Sequence, residues 1–230
     1  SSMETAVKLV KDLLREDIRS NEEHVRLAKK LLEEDIESNE RLLRILKKLL
    51  DLVEKTEDDE KLRKDLREVL EELRELVDRN KKRLEDVLRE SERLATENKK
   101  RLERVLRELE RTGLEERVLR EVRKLLEELK ELNDRTLEET RRLLDRLKKL
   151  NEEILELLER LLRRLEKLRK DKSDREELRR VAEEIKRRAE ELLRRTEELV
   201  RDILRRHEDA LRRTEELVRR IEKRLRDATR

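Results

Sequence analysis

The sequence lacks cysteine, proline, phenylalanine, tyrosine and tryptophan, and it contains a single glycine among 230 residues. Sheets are enriched in aromatic and β-branched residues, and tight turns depend on glycine and proline, so a β or α/β fold has almost none of its usual residues here. Without cysteine there is no thiol nucleophile, and the redox compartment cannot be inferred. The composition therefore favours an all-α fold.

An excess of charge of one sign is also lacking. The 66 basic and 63 acidic residues leave a net charge of only +3. They are interleaved, often as Glu followed four residues later by Arg, as in Glu183 and Arg187, a spacing that supports an exposed helix by about 0.2–0.5 kcal/mol per pair. A nucleic-acid-binding protein would instead concentrate positive charge on one stripe and add aromatic residues that stack on bases. We therefore predict no nucleic-acid partner.

Long apolar runs are missing as well. Apolar residues follow one another only in twos or threes, whereas a membrane-spanning helix needs roughly twenty in a row. No secretory signal or lipidation motif is visible. We therefore predict no membrane partner.

The apolar residues that are present follow the period of a helix. Charged residues make up 56% of the chain, a density often found in disordered proteins. However, Val7, Val10, Leu14 and Ile18 are separated by steps of three and four, and similar stripes continue along the chain. Such stripes are typical of amphipathic helices, so the pattern favours a folded protein.

Three interruptions divide the stripes into four segments. Residues 56–59 favour helix caps and turns, the only glycine is Gly113, and Ser173 with Glu176 matches a capping box. We predict helices over about 3–55, 59–111, 115–169 and 174–229.

Turns this short make neighbouring helices antiparallel. The sequence therefore predicts an up-down-up-down four-helix bundle formed as one elongated domain over 1–230. A single long rod is a poor alternative, because its leucine stripes would stay in water at about 25 cal/mol per Å² of exposed apolar surface. The handedness of the bundle is left open.

Each predicted helix contains an internal repeat of eighteen residues. Among other matches, 16–18 recurs as 34–36, 80–85 as 98–103, and 196–201 as 214–219. Eighteen residues complete five turns at about 3.6 residues per turn, so the repeat keeps a side chain on one face of a helix without supercoiling. We expect long, nearly straight helices.

Polar residues interrupt the apolar stripes at matched heights. Asp17 and Asn98 lie equally far from the first turn, as do Asp35 and Asn80. The lower layer is predicted to contain Asp17, Ser20, Asn21, His24, Ser91, Asn98, Asn133, Thr136, Thr140, His207 and Thr214. The upper layer, one repeat or about 27 Å away, is predicted to contain Asp35, Ser38, Asn39, Asn80, Asn151 and Thr196.

The matched heights indicate hydrogen-bonded networks that reject slipped or reshuffled helix pairings. An unpaired polar group in a dry core costs roughly 1–3 kcal/mol, so chance placement on four helices would be penalised heavily. The alternative is that several of these side chains, especially Asp17, Asp35 and Thr140, lie in water at the edge of a stripe.

The only two histidines, His24 and His207, fall at one height if the first and fourth helices are antiparallel neighbours. A metal site with Asp17 is conceivable, but Zn²⁺ needs three or four ligands, so we predict that the histidines belong to the network. If both are buried, protonation below about pH 6 is expected to charge the lower layer and loosen the bundle.

No arrangement of residues indicates catalysis. Carboxylates are so frequent that no acid–base pair stands out, and neither a glycine-rich phosphate loop nor a Ser-His-Asp spacing is present. Continuous leucine stripes argue for a filled core without a substrate pocket. We predict no enzyme activity, no catalytic residue, no metal, no cofactor and no small-molecule ligand.

Near-identical internal repeats, aliphatic packing, one loop glycine and polar residues confined to layers resemble computationally designed helical bundles with buried hydrogen-bond networks. The resemblance covers the whole chain and implies a monomeric structural scaffold without a natural biochemical function. An interaction or self-assembly module, through homo-oligomers or exchange of a helix or hairpin, is the alternative; a natural coiled-coil or lipid-binding protein is a third reading. Leu27, Leu52, Leu157 and Leu168 are expected to be exposed singly, which is normal for a monomer.

Overall fold

The computed structural model describes residues 2–167 and 172–229. Almost all of these residues belong to four α-helices: α1 (Ser2–Lys55), α2 (Asp59–Glu110), α3 (Glu116–Glu166) and α4 (Lys172–Ala228). No β-strand occurs in the described ranges. The prediction of an all-α protein with four long helices is confirmed.

The predicted helix boundaries agree with the structure to within one residue, except around the third turn. The predicted end of the third helix, at 169, lies outside the described residues. The fourth helix begins at Lys172, two residues before the predicted start, a difference within the usual spread of boundary assignments. The side chain of Ser173 is also outside the described residues, so the capping box remains a prediction.

The first turn, between α1 and α2, is stabilised by one of its own side chains and by one from α4. Asp58 caps α2, since its Oδ1 accepts a hydrogen bond of 3.1 Å from the backbone N–H of Glu60. Arg175 of α4 donates to the carbonyl oxygens of Thr56 and Glu57. These carbonyls follow the end of α1, where no helical N–H is left to satisfy them.

The second turn depends on the only glycine. Gly113 has φ of 70°, in the left-handed region that glycine adopts at little cost at helix C-termini. Thr112 beside it is buried, and its hydroxyl donates to the carbonyl oxygen of Leu109 at 2.6 Å. The predicted role of Gly113 in ending a helix is confirmed.

Contacts within the chain group the residues into two compact units. Unit 1 comprises Ser1–Lys30, Val87–Arg142 and Asp202–Arg230, and unit 2 comprises Leu31–Asp86 and Leu143–Arg201. Each unit therefore contains one stretch of every helix. That the whole chain is one domain remains a prediction.

Within unit 1, each helix contacts two neighbours. The cross-helix ion pairs include Glu16–Arg101 for α1 and α2, Glu92–Arg141 for α2 and α3, Glu139–Arg206 for α3 and α4, and Arg15–Glu222 for α1 and α4. The core between them is aliphatic, with Val10, Leu14, Leu129 and Ile221 fully buried. Each such side chain stabilises the fold by about 1.5–3 kcal/mol on burial.

Unit 2 has the same arrangement. Its cross-helix contacts include Arg41–Glu72 for α1 and α2, Asn151 to the Val77 carbonyl for α2 and α3, Glu153–Arg188 for α3 and α4, and Asn39 to the Leu193 carbonyl for α1 and α4. Its own aliphatic core contains Leu46, Leu66, Leu161 and Leu192. The predicted up-down-up-down four-helix bundle is confirmed.

The expectation of exposed single leucines was wrong for the residues that can be checked. Leu27, Leu52 and Leu157 are half-buried, and Leu168 lies outside the described residues. No large hydrophobic side chain is exposed in the described part of the chain. Four facing helices cover a wider stripe than steps of three and four alone indicate, and long charged side chains cover the margins.

Candidate functional site

The structure buries most of the polar residues predicted to form layers. The buried members are Asp17, Ser20, Asn21, His24, Asp35, Ser38, Asn39, Ser91, Asn98, Thr140, Asn151, His207 and Thr214. Asn80, Asn133, Thr136 and Thr196 are half-buried. The alternative that Asp17, Asp35 and Thr140 lie in water was wrong, since their exposed fractions are 0%, 8% and 3%. All lower-layer residues belong to unit 1, and all upper-layer residues belong to unit 2.

The two histidines stack on each other inside unit 1. Their ring centroids are 5.2 Å apart and the ring planes differ by 17°, so α1 and α4 meet at the height expected from the sequence. His24 Nδ1 lies 3.0 Å from the carbonyl oxygen of Ser20. A carbonyl can only accept, so this nitrogen carries the proton.

The tautomer of His207 follows from its neighbour. Thr140 Oγ1 donates its only proton to the carbonyl of Thr136 at 2.8 Å, so it must accept from His207 Nε2, which is 3.1 Å away. The other ring nitrogen, Nδ1, is buried without a hydrogen-bond partner. Burial lowers the pKa of both histidines, that of His207 to about 3 with a smaller contribution from the nearby His24. Both rings are therefore neutral at pH 7.

Asp17 is a carboxyl group in the core of unit 1. Burial raises its pKa to about 6, and the Arg101 guanidinium, 3.5 Å away, and the Asn133 amide oppose this rise. Asn133 is close enough to act on the carboxyl, yet neither Asn133 Nδ2 nor Asp17 Oδ2 reaches hydrogen-bond geometry. Asp17 is therefore mostly ionised at pH 7, at a cost that one arginine offsets only in part.

The lower layer has unused hydrogen-bonding capacity. Besides the atoms of Asp17, Asn133 and His207 just described, Ser20 Oγ and Thr214 Oγ1 are buried without a partner. A space of about 10 Å³ lies among the lower-layer side chains, close to the minimum that holds one water molecule. Several existing bonds return to the same helix, such as Asn21 Nδ2 to the Asp17 carbonyl at 2.9 Å. A continuous network remains a prediction.

The upper layer contains more bonds between helices. Ser38 Oγ of α1 donates to Asn80 Oδ1 of α2 at 2.7 Å. Asn39 Nδ2 donates within α1 to Asp35 Oδ2 at 3.3 Å and across to the Leu193 carbonyl of α4 at 3.4 Å. These bonds connect α1 to both of its neighbours within unit 2.

The other two upper-layer residues differ in what they contact. Asn151 Nδ2 of α3 donates to the Val77 carbonyl of α2 at 3.2 Å. Thr196, expected at the same height on α4, bonds the Leu192 carbonyl of its own helix at 2.8 Å. Thr196 therefore does not add a bond between helices.

Asp35 is the buried acid of unit 2. Burial raises its pKa to about 7, with the charge of Arg83 lowering it, that of Glu197 raising it and the hydrogen bond from Asn39 lowering it. Near pH 7 this carboxyl is therefore divided between its charged and neutral forms.

Two arginines that sequence reasoning missed occupy equivalent places in the two units. Arg101 contacts Glu16 at 3.3 Å and Asn98 at 2.8 Å. Arg83 contacts Glu34 and Asn80, each at 2.9 Å. The signal was present, because Arg follows each repeated Asn by three residues.

The described part of the chain has no group of three or more His, Asp or Glu residues placed to hold a metal ion. The histidine rings stack instead of pointing toward a common centre, so they are poorly oriented to share a ligand. In the described ranges, none of the helices combines the length and apolarity needed to cross a membrane.

Comparison with known proteins places these features in no family. The chain matches no family model and no curated protein. The buried layers and the two aliphatic cores are therefore the basis for proposing a function.

Proposed function

We propose that this chain is a designed structural scaffold: a monomeric four-helix bundle, without an enzymatic or ligand-binding role, whose buried polar layers specify how the helices pair. The observation that carries the proposal is the burial of polar side chains at the matched heights, with aliphatic residues packed around them. Buried polar groups that do not catalyse or bind a ligand are retained in some proteins because they favour one packing arrangement over others.

The contact between α1 and α4 is where such specification matters most. Only three to five residues separate α1 from α2, α2 from α3, and α3 from α4 along the chain, so the chain itself restricts the register of those pairs. No turn connects α1 to α4, and their register depends on side chains. His24 meets His207 in unit 1, and Asn39 reaches the Leu193 carbonyl in unit 2.

The two layers also differ in a way that distinguishes one end of each helix from the other. Four lower-layer residues have apolar equivalents one repeat of eighteen residues away in unit 2. His24, Ser91, Thr140 and His207 correspond to the buried residues Leu42, Leu73, Leu158 and Ala189. A helix displaced by one repeat would place a histidine among leucines. Each buried polar group left unpaired costs about 1–3 kcal/mol, so the difference disfavours displaced packings, including those between copies of the chain.

Monomeric behaviour is supported by the surface of the described residues, which exposes no large hydrophobic side chain. Stable interfaces between copies usually need apolar residues at their centre. The scattered ion pairs at the surface, such as Arg201–Glu197 at 2.7 Å, stabilise single helices and leave little apolar area for association.

Light scattering coupled to size-exclusion chromatography tests the proposal. The expected result is a mass near 28.3 kDa that does not change when the loaded concentration is varied by about a hundredfold. A multiple of this mass, or a mass that rises with concentration, would contradict the monomeric scaffold. That outcome would favour a self-assembly module instead.

A further inference from the structure

The buried titratable groups are distributed unequally between the two units. Unit 1 contains both histidines and Asp17, whereas Asp35 is the buried titratable group of the upper layer in unit 2. At the positions in unit 2 that correspond to His24 and His207 stand Leu42 and Ala189. The aliphatic cores and the repeats are otherwise alike, so a change of pH acts on different chemistry in each unit.

We propose that the chain responds to acid with opposite signs in its two units: acidification loosens unit 1 around the stacked histidines and tightens unit 2 around Asp35. This response goes beyond the scaffold role and does not depend on it. A bundle could be a monomeric scaffold whether or not its units respond differently to acid.

The geometry of the histidine pair explains why protonation is unfavourable there. His24 is 8% exposed and His207 is 4% exposed, and their ring centroids lie 5.2 Å apart. Two imidazolium ions at this distance would repel each other with little water between them. In the neutral state His207 donates to Thr140 and His24 donates to Ser20. A second proton on either ring would gain no carboxylate partner in the layer.

The charges that face the pair are few. The pKa of His24 is raised by backbone hydrogen bonds to Ser20 on α1 and Ser91 on α2, and less by the charges of Glu23 and Glu90, but burial outweighs all of them. Glu90 is also engaged by Arg93. From α3 the pair meets the uncharged Leu137 and Thr140, and on α4 His207 is influenced only by burial and by His24 itself.

The carboxyl groups respond in the opposite direction. Asp17 is faced by Arg101 of α2 and the uncharged Asn133 of α3. Asp35 is faced by Arg83 of α2 and Glu197 of α4. Protonation removes a buried negative charge in each case, which relieves the cost of burial.

Whether acid stabilises or destabilises each unit follows from comparing the pKa values of its buried groups in the folded and the unfolded chain. His207 has a pKa of about 3 when folded and 6.5 when unfolded, so its contribution to stability is complete above 6.5 and is lost as the pH falls toward 3. Asp17 and Asp35 have folded pKa values of about 6 and about 7 against 3.8 unfolded. Their cost to stability is therefore present above those values and disappears as the pH falls toward 3.8.

These values give the net change for each unit between about pH 7.5 and about pH 5. The folding equilibrium constant of unit 1 falls about thirtyfold because of His207 and falls further because of His24, while Asp17 raises it about tenfold. The folding equilibrium constant of unit 2 rises about seventyfold because of Asp35.

Hydrogen exchange of the full chain, followed by mass spectrometry of peptides at about pH 7.5 and about pH 5, tests the proposal. Rates are corrected for the pH dependence of exchange in unstructured peptides. We expect amides of 12–30 and 202–214 to lose at least about threefold in protection, and amides of 31–45 and 185–200 to gain at least about tenfold. Equal changes in both units, or the reverse pattern, would overturn the proposal.

Two variants assign the effect to the named groups. The double variant His24→Leu/His207→Ala carries the residues of unit 2 at the matching positions, and its unit 1 should gain protection on acidification because only Asp17 remains. Asp35→Asn should abolish the acid-induced gain in unit 2 and leave unit 1 unchanged. Loss of protection in unit 1 of the double variant would refute the role of the histidines. If a variant does not fold, the two-pH comparison of the unaltered chain still decides between the outcomes.

Discussion

Asp17 and Asp35 occupy positions where steps of three and four along α1 place a core residue, and the structure buries both. A buried carboxylate is costly unless its partners replace the water that it loses. The raised pKa values of the two groups show that Arg101 and Arg83 replace that water only in part. At the scale of single residues, the two buried carboxyl groups therefore reduce stability at neutral pH.

Asp17→Asn is expected to stabilise the protein at about pH 8 by about 1–3 kcal/mol, because it removes a buried charge whose pKa is raised by about two units. Arg101 keeps Glu16 and Asn98 as partners in this variant. Below about pH 3 the advantage should vanish, since Asp17 is then mostly protonated in both the folded and the unfolded chain, whose pKa values are about 6 and 3.8.

Chemical denaturation at the two pH values measures the difference, and Asp12→Asn, at an exposed position on the same helix, is the matched control. A destabilised Asp17→Asn variant at about pH 8 would show that the ion pair with Arg101 outweighs the cost of burial.

The sequence predicts which polar residues are buried better than it predicts what they bond. Matched heights placed His24 opposite His207, and the rings do stack. The partners of Asn39 and Asn151, however, are backbone carbonyls of Leu193 and Val77. Carbonyls are present at every position and give no signal in a sequence, so hydrogen-bond partners of this kind need coordinates.

At the scale of the helices, an arginine of one helix donates hydrogen bonds to the carbonyl groups that follow the end of another. Arg175 near the start of α4 donates to Asp59 Oδ1 at 2.8 Å, to the Glu57 carbonyl at 2.6 Å and to the Thr56 carbonyl. Its side chain is 26% exposed, so the surrounding water weakens these bonds only in part. The α1–α2 turn and α4 are thereby connected within unit 2.

Arg175→Ala is expected to destabilise the protein by about 1–2 kcal/mol, because the carbonyls after α1 lose a charged donor and must be solvated instead. Thermal unfolding gives the overall effect, and hydrogen exchange of amides 53–62 shows whether the loss is local. Arg179→Ala removes only an exposed pair with Glu183 and should change stability by less than about 0.5 kcal/mol. Equal effects of the two substitutions would contradict a special role for Arg175.

Helix ends could be read from the sequence where one residue determines the geometry. Gly113 indicated a left-handed conformation, which φ of 70° confirms, and the cap-favouring residues at 56–59 indicated the cap that Asp58 provides. The contribution of Arg175 could not be read in this way, because it depends on α4 lying beside a turn more than a hundred residues earlier. Local rules identify caps, but not the residues that reach them from another helix.

At the scale of the whole molecule, the topology leaves one pair of neighbouring helices without a connecting turn. Side chains of α1 and α4 meet in the stacked histidines and in the Arg15–Glu222 ion pair at 3.3 Å, and the proposed function assigns the register of this pair to the polar layers. Since the sequence has no cysteine, an introduced cysteine pair reports this register without interference. Arg15→Cys/Glu222→Cys reports the observed register, and Arg15→Cys/Glu215→Cys reports a displacement of seven residues, or about two helical turns.

With the polar layers intact, only the first cysteine pair should form a disulfide in high yield under mild oxidation. A second background carries leucine in place of His24, Asn39 and Thr140 and alanine in place of His207, so that these buried polar contacts of α1 and α4 are removed. For His24, Thr140 and His207, the new residue is the one at the equivalent position of unit 2. The apolar background should be at least as stable to heat, because buried polar groups are replaced by packed aliphatic ones. It should nevertheless allow the displaced pair to form at least about tenfold more disulfide, since each unpaired polar group no longer costs about 1–3 kcal/mol in the displaced state. If the displaced pair stays unreacted in that background, aliphatic packing and the three turns are sufficient to set the register, and the polar layers have another role.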